Sequence, residues 1–278
     1  MRVIVTGASG FLGSAIVRKL TTAGIECLGV SRKTVAGLNH VAEYSDTPEG
    51  DVLIHLAETS DRAAAKALGD SVEVEARHTL DALLAKGYRK IVYASSAVLY
   101  GDRWLTPRKT SDPVEAQDIY TRIKLASEQV VLAHGGAVAR LANLYGPGMA
   151  TGNVLSHILG QLDHGSTITM QTLEPVRDFL WVEDAADALS RMAIREATGL
   201  FNVGSGIGTS IAELVDQVQT VAATSQKVVA MHKLEQPSYL VLDVVATKQA
   251  LDWKPETVLQ EGLRKLLKLK IQPEVRNP

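Results

Sequence analysis

A glycine-rich turn near the start of the chain joins an apolar strand-like run, Arg2 to Val5, to a helical segment. Its glycines follow the spacing G-x-x-G-x-x-G. Gly7 permits a tight turn, Gly10 lets a ligand approach the backbone, and Gly13 allows close packing between helix and strand. Backbone N–H groups at the start of such a helix attract a pyrophosphate. The turn therefore predicts dinucleotide binding through Gly7, Ser9, Gly10, Phe11, Leu12 and Gly13.

Apolar, β-branched runs alternate with helical stretches over the first half of the 278 residues. Because these runs are apolar on both faces, they predict a doubly wound parallel sheet of the Rossmann type, an α/β fold with helices on both sides. Shorter, mixed elements follow Gly146-Pro147-Gly148 and predict a smaller α/β substrate-binding part. The predicted division is 1–150 plus about 177–204 for the dinucleotide-binding domain, and about 151–176 with 205–278 for the substrate-binding domain.

The end of the second predicted strand reads Val30-Ser31-Arg32-Lys33. Enzymes that prefer NAD usually place an Asp or Glu there, where it binds the adenine ribose. This stretch has no carboxylate, and its hydroxyl and two cations suit the 2′-phosphate of NADP, so we expect NADP rather than NAD. The alternative is that Arg32 and Lys33 are ordinary surface charges.

One tyrosine, Tyr120, has a lysine four positions later, Lys124, on a helix predicted to start near Asp118. Residues at i and i+4 share one helix face. A nearby ammonium favours the phenolate form that a tyrosine needs for acid-base catalysis. Taken alone, the spacing is more typical of an ordinary pair on a helix surface.

Several further motifs follow the glycine turn in a fixed order. They are His55-Leu56-Ala57, Ser95-Ser96-Ala97-Val98-Leu99-Tyr100-Gly101, Arg140-Leu141-Ala142-Asn143-Leu144-Tyr145-Gly146-Pro147-Gly148, Arg177-Asp178-Phe179, Phe201-Asn202-Val203-Gly204 and Leu251-Asp252-Trp253-Lys254-Pro255. Together with Tyr120-x-x-x-Lys124, they resemble the extended short-chain dehydrogenase/reductase family, also called the NAD-dependent epimerase/dehydratase family. The resemblance covers nearly the whole chain.

The resemblance implies roles for particular residues. Ser96 would hydrogen-bond the reacting oxygen, Tyr120 would be the acid-base, and Lys124 would hold the nicotinamide ribose. Leu56 and Ala57 would line the cofactor site. The family also implies a homodimer built from the helix that carries Tyr120 and the preceding helix near 70–86.

In nucleotide-sugar members of the family, residues corresponding to Asn143, Asn153 and Arg177 line the substrate site, so a nucleotide-activated sugar is the expected substrate. As alternatives, Arg177 would pair structurally with Asp178 or Asp184, and Asn143 would be a turn residue. The segment Leu234 to Tyr239 lacks the Arg-x-Gly-Asp pattern with which many members grip the diphosphate. A ketone carried by another group is therefore the alternative substrate class.

Three chemistries of the family compete. A dehydratase needs acid-base carboxylates after the catalytic hydroxyl, where this chain has Ala97 and Val98, and an epimerase-reductase needs a cysteine, whereas Cys27 lies on the second strand. We therefore expect reduction of a keto-sugar, with the 4-keto-6-deoxy type favoured. An NAD-dependent 4-epimerase is the runner-up, and a non-catalytic dinucleotide-binding relative is the third reading.

Composition excludes other classes of partner. The chain has 29 Lys and Arg against 31 Asp and Glu, whereas duplex-binding proteins use clustered cations, so we expect no nucleic-acid partner. The single cysteine excludes an intramolecular disulfide and favours a reducing, cytoplasmic location. The longest charge-free stretch, 141–162, is too polar for a bilayer, and no histidine pair has metal-ligand spacing. We expect neither membrane insertion nor a metal.

Overall fold

The computed structural model of the protein describes residues 1–59, 62–162 and 165–271. The strands are β1 (Arg2–Thr6), β2 (Glu26–Ser31), β3 (Asn39–His40), β4 (Val52–His55), β5 (Lys90–Ser96), β6 (Ala137–Leu141), β7 (Asn143–Tyr145), β8 (Thr167–Met170), β9 (Val176–Trp181), β10 (Gly199–Val203), β11 (Gly208–Ser210), β12 (Lys227–Ala230) and β13 (Tyr239–Leu240). The helices are α1 (Phe11–Thr22), α2 (Arg62–Leu68), α3 (Ser71–Leu84), α4 (Ile119–Ala133), α5 (Val154–Gln161), α6 (Val182–Ile194), α7 (Ile211–Ala222), α8 (Val245–Leu251) and α9 (Leu259–Ile271).

Seven strands of the described chain form one parallel sheet in the order β10-β6-β5-β4-β1-β2-β3. Successive side chains of a strand point to opposite faces of a sheet. Val3 and Val5 accordingly pack with α1 and α6 on one face, and Ile4 packs with α3 and α4 on the other. The predicted doubly wound α/β fold is confirmed.

The strand order reverses between β1 and β4, which lie side by side at the centre of the sheet. In open α/β sheets, a ligand binds at the carboxyl ends of the strands at such a reversal. The glycine turn follows β1, and His55 ends β4. The fold therefore brings the predicted cofactor residues to one edge.

A smaller set of strands lies beyond the large sheet. β9 pairs with β7, β11 and β13, and β12 pairs with β8. Of these strands, β7, β8, β9 and β12 share an apolar core with α5, α7 and α9. Within the expected 177–204 segment, α6 and β10 pack with the large sheet, whereas β9 belongs to the smaller one. The two-domain division remains a prediction.

The helix α4 begins where local sequence signals place it. The Asp118 carboxylate accepts a hydrogen bond from the Thr121 backbone, and the Thr121 hydroxyl accepts one from the Asp118 backbone. Such a cap contributes about 1 kcal/mol to helix stability. Gly135 follows the helix with φ of +67°, a conformation that ends helices.

Each described helix is too short or too polar to cross a lipid bilayer.

Candidate active site

The glycine turn has the shape that a pyrophosphate needs. Gly7 has φ of +69°, and a Cβ at Gly13 would lie 2.2 Å from the Gly7 carbonyl oxygen, so neither position accepts a side chain without strain. Gly10 is the N-cap of α1, and this helix has no side-chain cap and no acidic residue in its first turn. The N–H groups of Phe11 and Leu12 are therefore left for an external anion.

The end of β4 contacts this turn. The Leu56 backbone N–H donates to Thr6 Oγ1 at 3.2 Å. The Leu56 and Ala57 backbone lies 3.1 to 3.3 Å from where a Cβ on Gly7 would be. The two segments that the sequence assigned to the cofactor are thus in contact.

Ser31 is fully buried and contacts the glycine turn through its hydroxyl group. Its hydroxyl donates to Ser9 Oγ at 2.9 Å and accepts from the Lys33 backbone N–H at 2.9 Å. Both contacts lie within the predicted cofactor residues, so Ser31 couples the end of β2 to the glycine turn.

Arg32 has a partner that the sequence reasoning missed. Its Nη1 lies 3.2 Å from Glu75 Oε1 on α3, and its guanidinium lies over the Tyr44 ring. Both members of the ion pair are more than half exposed, so the pair itself contributes little to stability. A carboxylate therefore does lie beside the end of β2, but it belongs to Glu75 on α3 and not to β2 itself.

Tyr120 and Lys124 share one face of α4, as their spacing predicted. Both side chains are more than nine-tenths buried, and Lys124 Nζ lies 5.9 Å from the centre of the Tyr120 ring. Lys124 Nζ also donates to the Ala94 carbonyl oxygen at 2.9 Å. This bond ties α4 to β5 two residues before Ser96.

Ser96 ends β5 at the same edge of the sheet. Its Oγ accepts a weak hydrogen bond from the Val98 backbone at 3.4 Å, which caps the short turn over residues 97–100. Ser96 lines a small cavity of about 40 Å³ together with Asn143 and Asp178. Ala97 is buried in an apolar cluster, and Val98 packs against that cluster.

Glu58 is the main site residue that the sequence reasoning missed. Its buried carboxylate accepts from Lys124 Nζ at 3.1 Å, from Ser127 Oγ at 2.7 Å and from the Tyr93 hydroxyl. Burial opposes ionisation of Glu58, but the Lys124 ammonium and these donors hold the pKa of Glu58 below its ordinary value. Burial, followed by the charge of Glu58, raises the pKa of Tyr93 well above its usual range, so Tyr93 stays a donor.

The signal for Glu58 was its position. It follows His55-Leu56-Ala57 directly, at the carboxyl edge where ligands bind.

His55 lies beside this cluster and is neutral. Its Nδ1 hydrogen-bonds with Thr6 Oγ1 at 2.8 Å, and its buried Nε2 has no partner among the described residues. Burial lowers the pKa of His55 to about 4, with the Glu58 charge opposing and the Lys124 charge assisting the shift.

A second buried ion pair fastens α4 to the sheet. Arg140 donates twice to the Glu128 carboxylate, with Nη2 to Oε2 at 2.7 Å, and Ser95 Oγ donates to Glu128 Oε1 at 2.5 Å. All three side chains are buried. The helix that carries Tyr120 and Lys124 is therefore bonded to both β5 and β6.

A cleft of about 620 Å³ in the smaller part of the fold is lined by three of the four predicted substrate residues, Asn143, Asn153 and Arg177, whereas Ser96 lines the small cavity described above. Asn143 Nδ2 donates to the Asp178 carbonyl oxygen at 3.2 Å. Asn153 caps α5, because its Oδ1 accepts from the Ser156 backbone at 2.9 Å. Asn143 also lines the small cavity with Ser96, so the cleft and the catalytic edge adjoin.

Arg177 is paired, but not with Asp178 or Asp184 as the structural alternative expected. Its Nη2 lies 2.9 Å from Asp102 Oδ2. Asp178 instead accepts from the backbone of Ser205, Gly206 and Leu242. Asp184 accepts from the Thr257 backbone.

In the part of the chain that the structure describes, no group of His, Cys, Asp or Glu side chains has the arrangement of a metal site.

The chain is similar in sequence and in fold to several known proteins. UDP-glucuronic acid decarboxylase 5 of Arabidopsis thaliana is 26% identical over 297 residues, which cover 95% of this chain and 87% of the relative. The dTDP-6-deoxy-L-talose 4-dehydrogenase (NAD(P)(+)) of Kitasatospora kifunensis is 25% identical over 299 residues, with 95% and 94% covered. The solved structure of Thermus thermophilus UDP-glucose 4-epimerase in complex with NAD superposes with a TM-score of 0.84 at 22% identity, covering 96% of this chain and 98% of that one.

The sequence model of one family matches residues 3–204, a span that includes the glycine turn, Ser96, Tyr120, Lys124 and Arg177. The chain belongs to the NAD dependent epimerase/dehydratase family.

Proposed function

We propose that the protein is an NAD(P)-dependent ketoreductase that acts on a nucleotide-activated sugar, with a 4-keto-6-deoxy sugar as the favoured substrate. The observation that carries the proposal is the intact set of Ser96, Tyr120 and Lys124 at the carboxyl edge of the sheet, next to a cleft large enough for a sugar nucleotide. The relative from Kitasatospora kifunensis, a dehydrogenase by name, is consistent with this chemistry.

Ser96, Tyr120 and Lys124 each have a separate role in the proposed reaction. The Ser96 hydroxyl donates a hydrogen bond to the substrate carbonyl oxygen, and the Tyr120 phenol gives its proton to the alkoxide that forms. Lys124, held by Glu58 and by the Ala94 carbonyl, keeps a positive charge beside Tyr120. A bound reduced nicotinamide cofactor supplies the hydride.

The glycine turn fits such a cofactor, because the uncapped start of α1 leaves backbone donors for its pyrophosphate. We propose NADP as the preferred form, since Arg32 and Lys33 follow β2 where many relatives have a carboxylate. NAD is the alternative, which the cofactor bound to the Thermus thermophilus epimerase supports. Glu75 beside Arg32 also weakens the case for NADP.

The residues after Ser96 weigh against dehydration. Ala97 and Val98 provide no acid or base, and among the described residues that line the cleft there is no Asp or Glu. A 4-epimerase needs the same Ser96, Tyr120 and Lys124 and keeps its cofactor bound through each turnover, so it remains the alternative. A non-catalytic dinucleotide-binding protein is the third candidate, and the intact catalytic residues weigh against it.

The stoichiometry of the cofactor tests the proposal. With a 4-keto-6-deoxy nucleotide sugar, absorbance of NADPH should fall mole for mole with the reduced product. Interconversion of UDP-hexose epimers without net cofactor oxidation, by protein that already contains NAD, would establish the epimerase. Release of CO₂ from UDP-glucuronic acid would assign the chain to the decarboxylases. Cofactor binding without turnover of any of these substrates would favour the non-catalytic reading.

A further inference from the structure

The guanidinium of Arg177 has a protein acceptor for each of its four terminal N–H groups. Nη1 donates to the carbonyl oxygens of Val176 at 2.9 Å and Ser238 at 3.2 Å. Nη2 donates to Asp102 Oδ2 at 2.9 Å and Ser238 Oγ at 2.8 Å. An arginine has five N–H donors, and among the described residues only Nε of Arg177 has no acceptor. A substrate oxygen that approaches the terminal nitrogens must therefore share or displace one of these partners, and only Nε can donate without doing so.

Asp102 is the one charged partner, and it is held in place from several sides. Its Oδ2 also accepts from Ser238 Oγ at 2.5 Å, and its carbonyl oxygen accepts from the Tyr239 backbone at 2.6 Å. The next residue, Arg103, forms a β-bridge with Tyr239. Ser238 and Tyr239 belong to the segment in which many family members carry a diphosphate-binding arginine. This chain has there a serine that contacts Arg177.

The positive charge in the cleft depends on the ion pair between Arg177 and Asp102. The described cleft lining contains one arginine, Arg177, with His157 as the other basic side chain. The Asp102 carboxylate offsets the Arg177 charge and would repel a phosphate that approaches the same guanidinium. Arg177 lines the cleft, and the side chains of Arg177 and Asp102 are 23% and 42% exposed, so a ligand in the cleft can contact the Arg177 guanidinium that Asp102 neutralises.

We propose that Asp102 is a specificity-determining residue: it occupies the Arg177 guanidinium as an internal anion and lowers the affinity of the cleft for ligands that bear a diphosphate. This inference rests on the proposed function only in taking the cleft as the nucleotide-sugar site. Asp102 thereby makes the nucleotide bind weakly and exchange readily. Removal of its charge makes the Nη2 donor of Arg177 available to a phosphate oxygen and removes the repulsion between the carboxylate and the phosphate.

Calorimetric titration of the full chain with UDP tests the proposal without any turnover. Asp102→Asn should bind UDP about tenfold more tightly than the wild type, the size expected for one freed charge-assisted contact. Uridine, which has no phosphate, should bind both proteins equally. Asp102→Glu retains the charge and should leave UDP affinity unchanged. In an Arg177→Gln background, Asp102→Asn should produce no gain.

Asp112→Asn is the matched control. Asp112 lies on the same loop, pairs with Arg108 at 2.8 Å and lines a different cavity, so UDP affinity should not change. Equal or weaker UDP binding by Asp102→Asn, with an unchanged melting temperature, would overturn the proposal and leave Asp102 a structural tie. If Asp102→Asn melts lower, Ser238→Ala provides a second variant, which loosens the same pair and should also tighten UDP binding. Absence of UDP binding in all variants overturns the inference, whereas the keto-sugar assay separately decides the proposed function.

Discussion

Lys124 Nζ lies 3.1 Å from Glu58 Oε2, and the two side chains are only 7% and 2% exposed. Loss of one member of a buried ion pair leaves an uncompensated charge and costs about 3 to 5 kcal/mol. Glu58→Gln and Lys124→Met should each lower the free energy of unfolding by that amount in urea titrations. The double variant should lose less than the sum of the two, because neither charge is then stranded.

The exposed pair of Lys265 and Glu261 on α9 is the control for this experiment. Glu261→Gln should change the free energy of unfolding by less than about 0.5 kcal/mol. Additive losses for Glu58→Gln and Lys124→Met would contradict the interpretation that the two charges stabilise each other.

Tyr120→Phe should abolish turnover and leave the Kd of the dinucleotide nearly unchanged. The phenol acts on a proton in the transition state and contributes little to binding of the cofactor. Lys124→Met should lose both turnover and cofactor affinity. Tyr88→Phe, whose hydroxyl donates to the Pro48 carbonyl away from the site, is the control. Turnover by Tyr120→Phe within tenfold of the wild type would refute the assignment of the acid-base.

The preference for NADPH over NADH is expected to depend on Arg32 and Glu75 in opposite directions. Arg32→Ala should reduce the ratio of affinities by about tenfold, the value of one charge-assisted phosphate contact. Glu75→Gln should raise the ratio, because it removes the anion that competes for Arg32. Asp81→Asn, which breaks a similar exposed pair with Arg77 on α3, should leave the ratio unchanged. Equal affinities in the wild type would mean that Arg32 does not reach a 2′-phosphate.

Stability is expected to fall with acidification through His55. Its pKa of about 4 in the folded protein lies below the ordinary 6.5, so the unfolded chain binds more protons between these values. The contribution of His55 is complete above pH 6.5 and is lost as pH falls, by about 2 kcal/mol between pH 7 and pH 5. In urea titrations at these two pH values, His55→Asn should lose correspondingly less stability than the wild type. The exposed His40→Asn should behave like the wild type, and an unchanged pH dependence in His55→Asn would exclude His55 as the cause.

A homodimer through α3 and α4 remains a prediction. The structure shows which apolar residues of these helices are exposed and could form the interface. Ile123, Val130 and Val131 are the apolar α4 residues that the sequence offers to either the interface or the sheet, and of these Val131 is fully buried against the sheet and Val130 packs partly against the same core. Val74 on α3 is 71% exposed beside a cleft of about 580 Å³ that Ile123 also lines. Val74→Glu should convert a dimer to a monomer in light scattering, whereas Val258→Glu on a different surface should not. A monomeric wild type at micromolar concentration would refute the dimer.

The parts of the site that were predictable are those encoded over short sequence distances. The glycine turn and the start of α4 depend on residues within a few positions of each other, and Tyr120 and Lys124 are one helical turn apart. Partnerships across long distances were not predictable. Glu58 lies 66 residues before Lys124, and Asp102 lies 75 residues before Arg177. No local pattern specifies which charges meet when the sheet assembles.

The structure pairs β9 with strands of the smaller sheet, and the sequence of β9 did not indicate which sheet it would join. Its run from Val176 to Trp181 ends in three buried apolar residues, like the strands of the large sheet, and β9 leads directly into α6, which does pack on that sheet. A short apolar run indicates a buried strand but not the sheet that it joins.

Trp253, which is 3% exposed, packs in the core beneath the large sheet and donates from Nε1 to the Asp184 carbonyl oxygen at 3.1 Å. The edge strand β10 of that sheet also comes from late in the chain. During synthesis, therefore, the large sheet stays uncovered on one flank until about residue 253 has left the ribosome. A growing chain must keep that apolar flank from aggregating in the meantime, and a shortened chain that ends after β6 would expose it permanently.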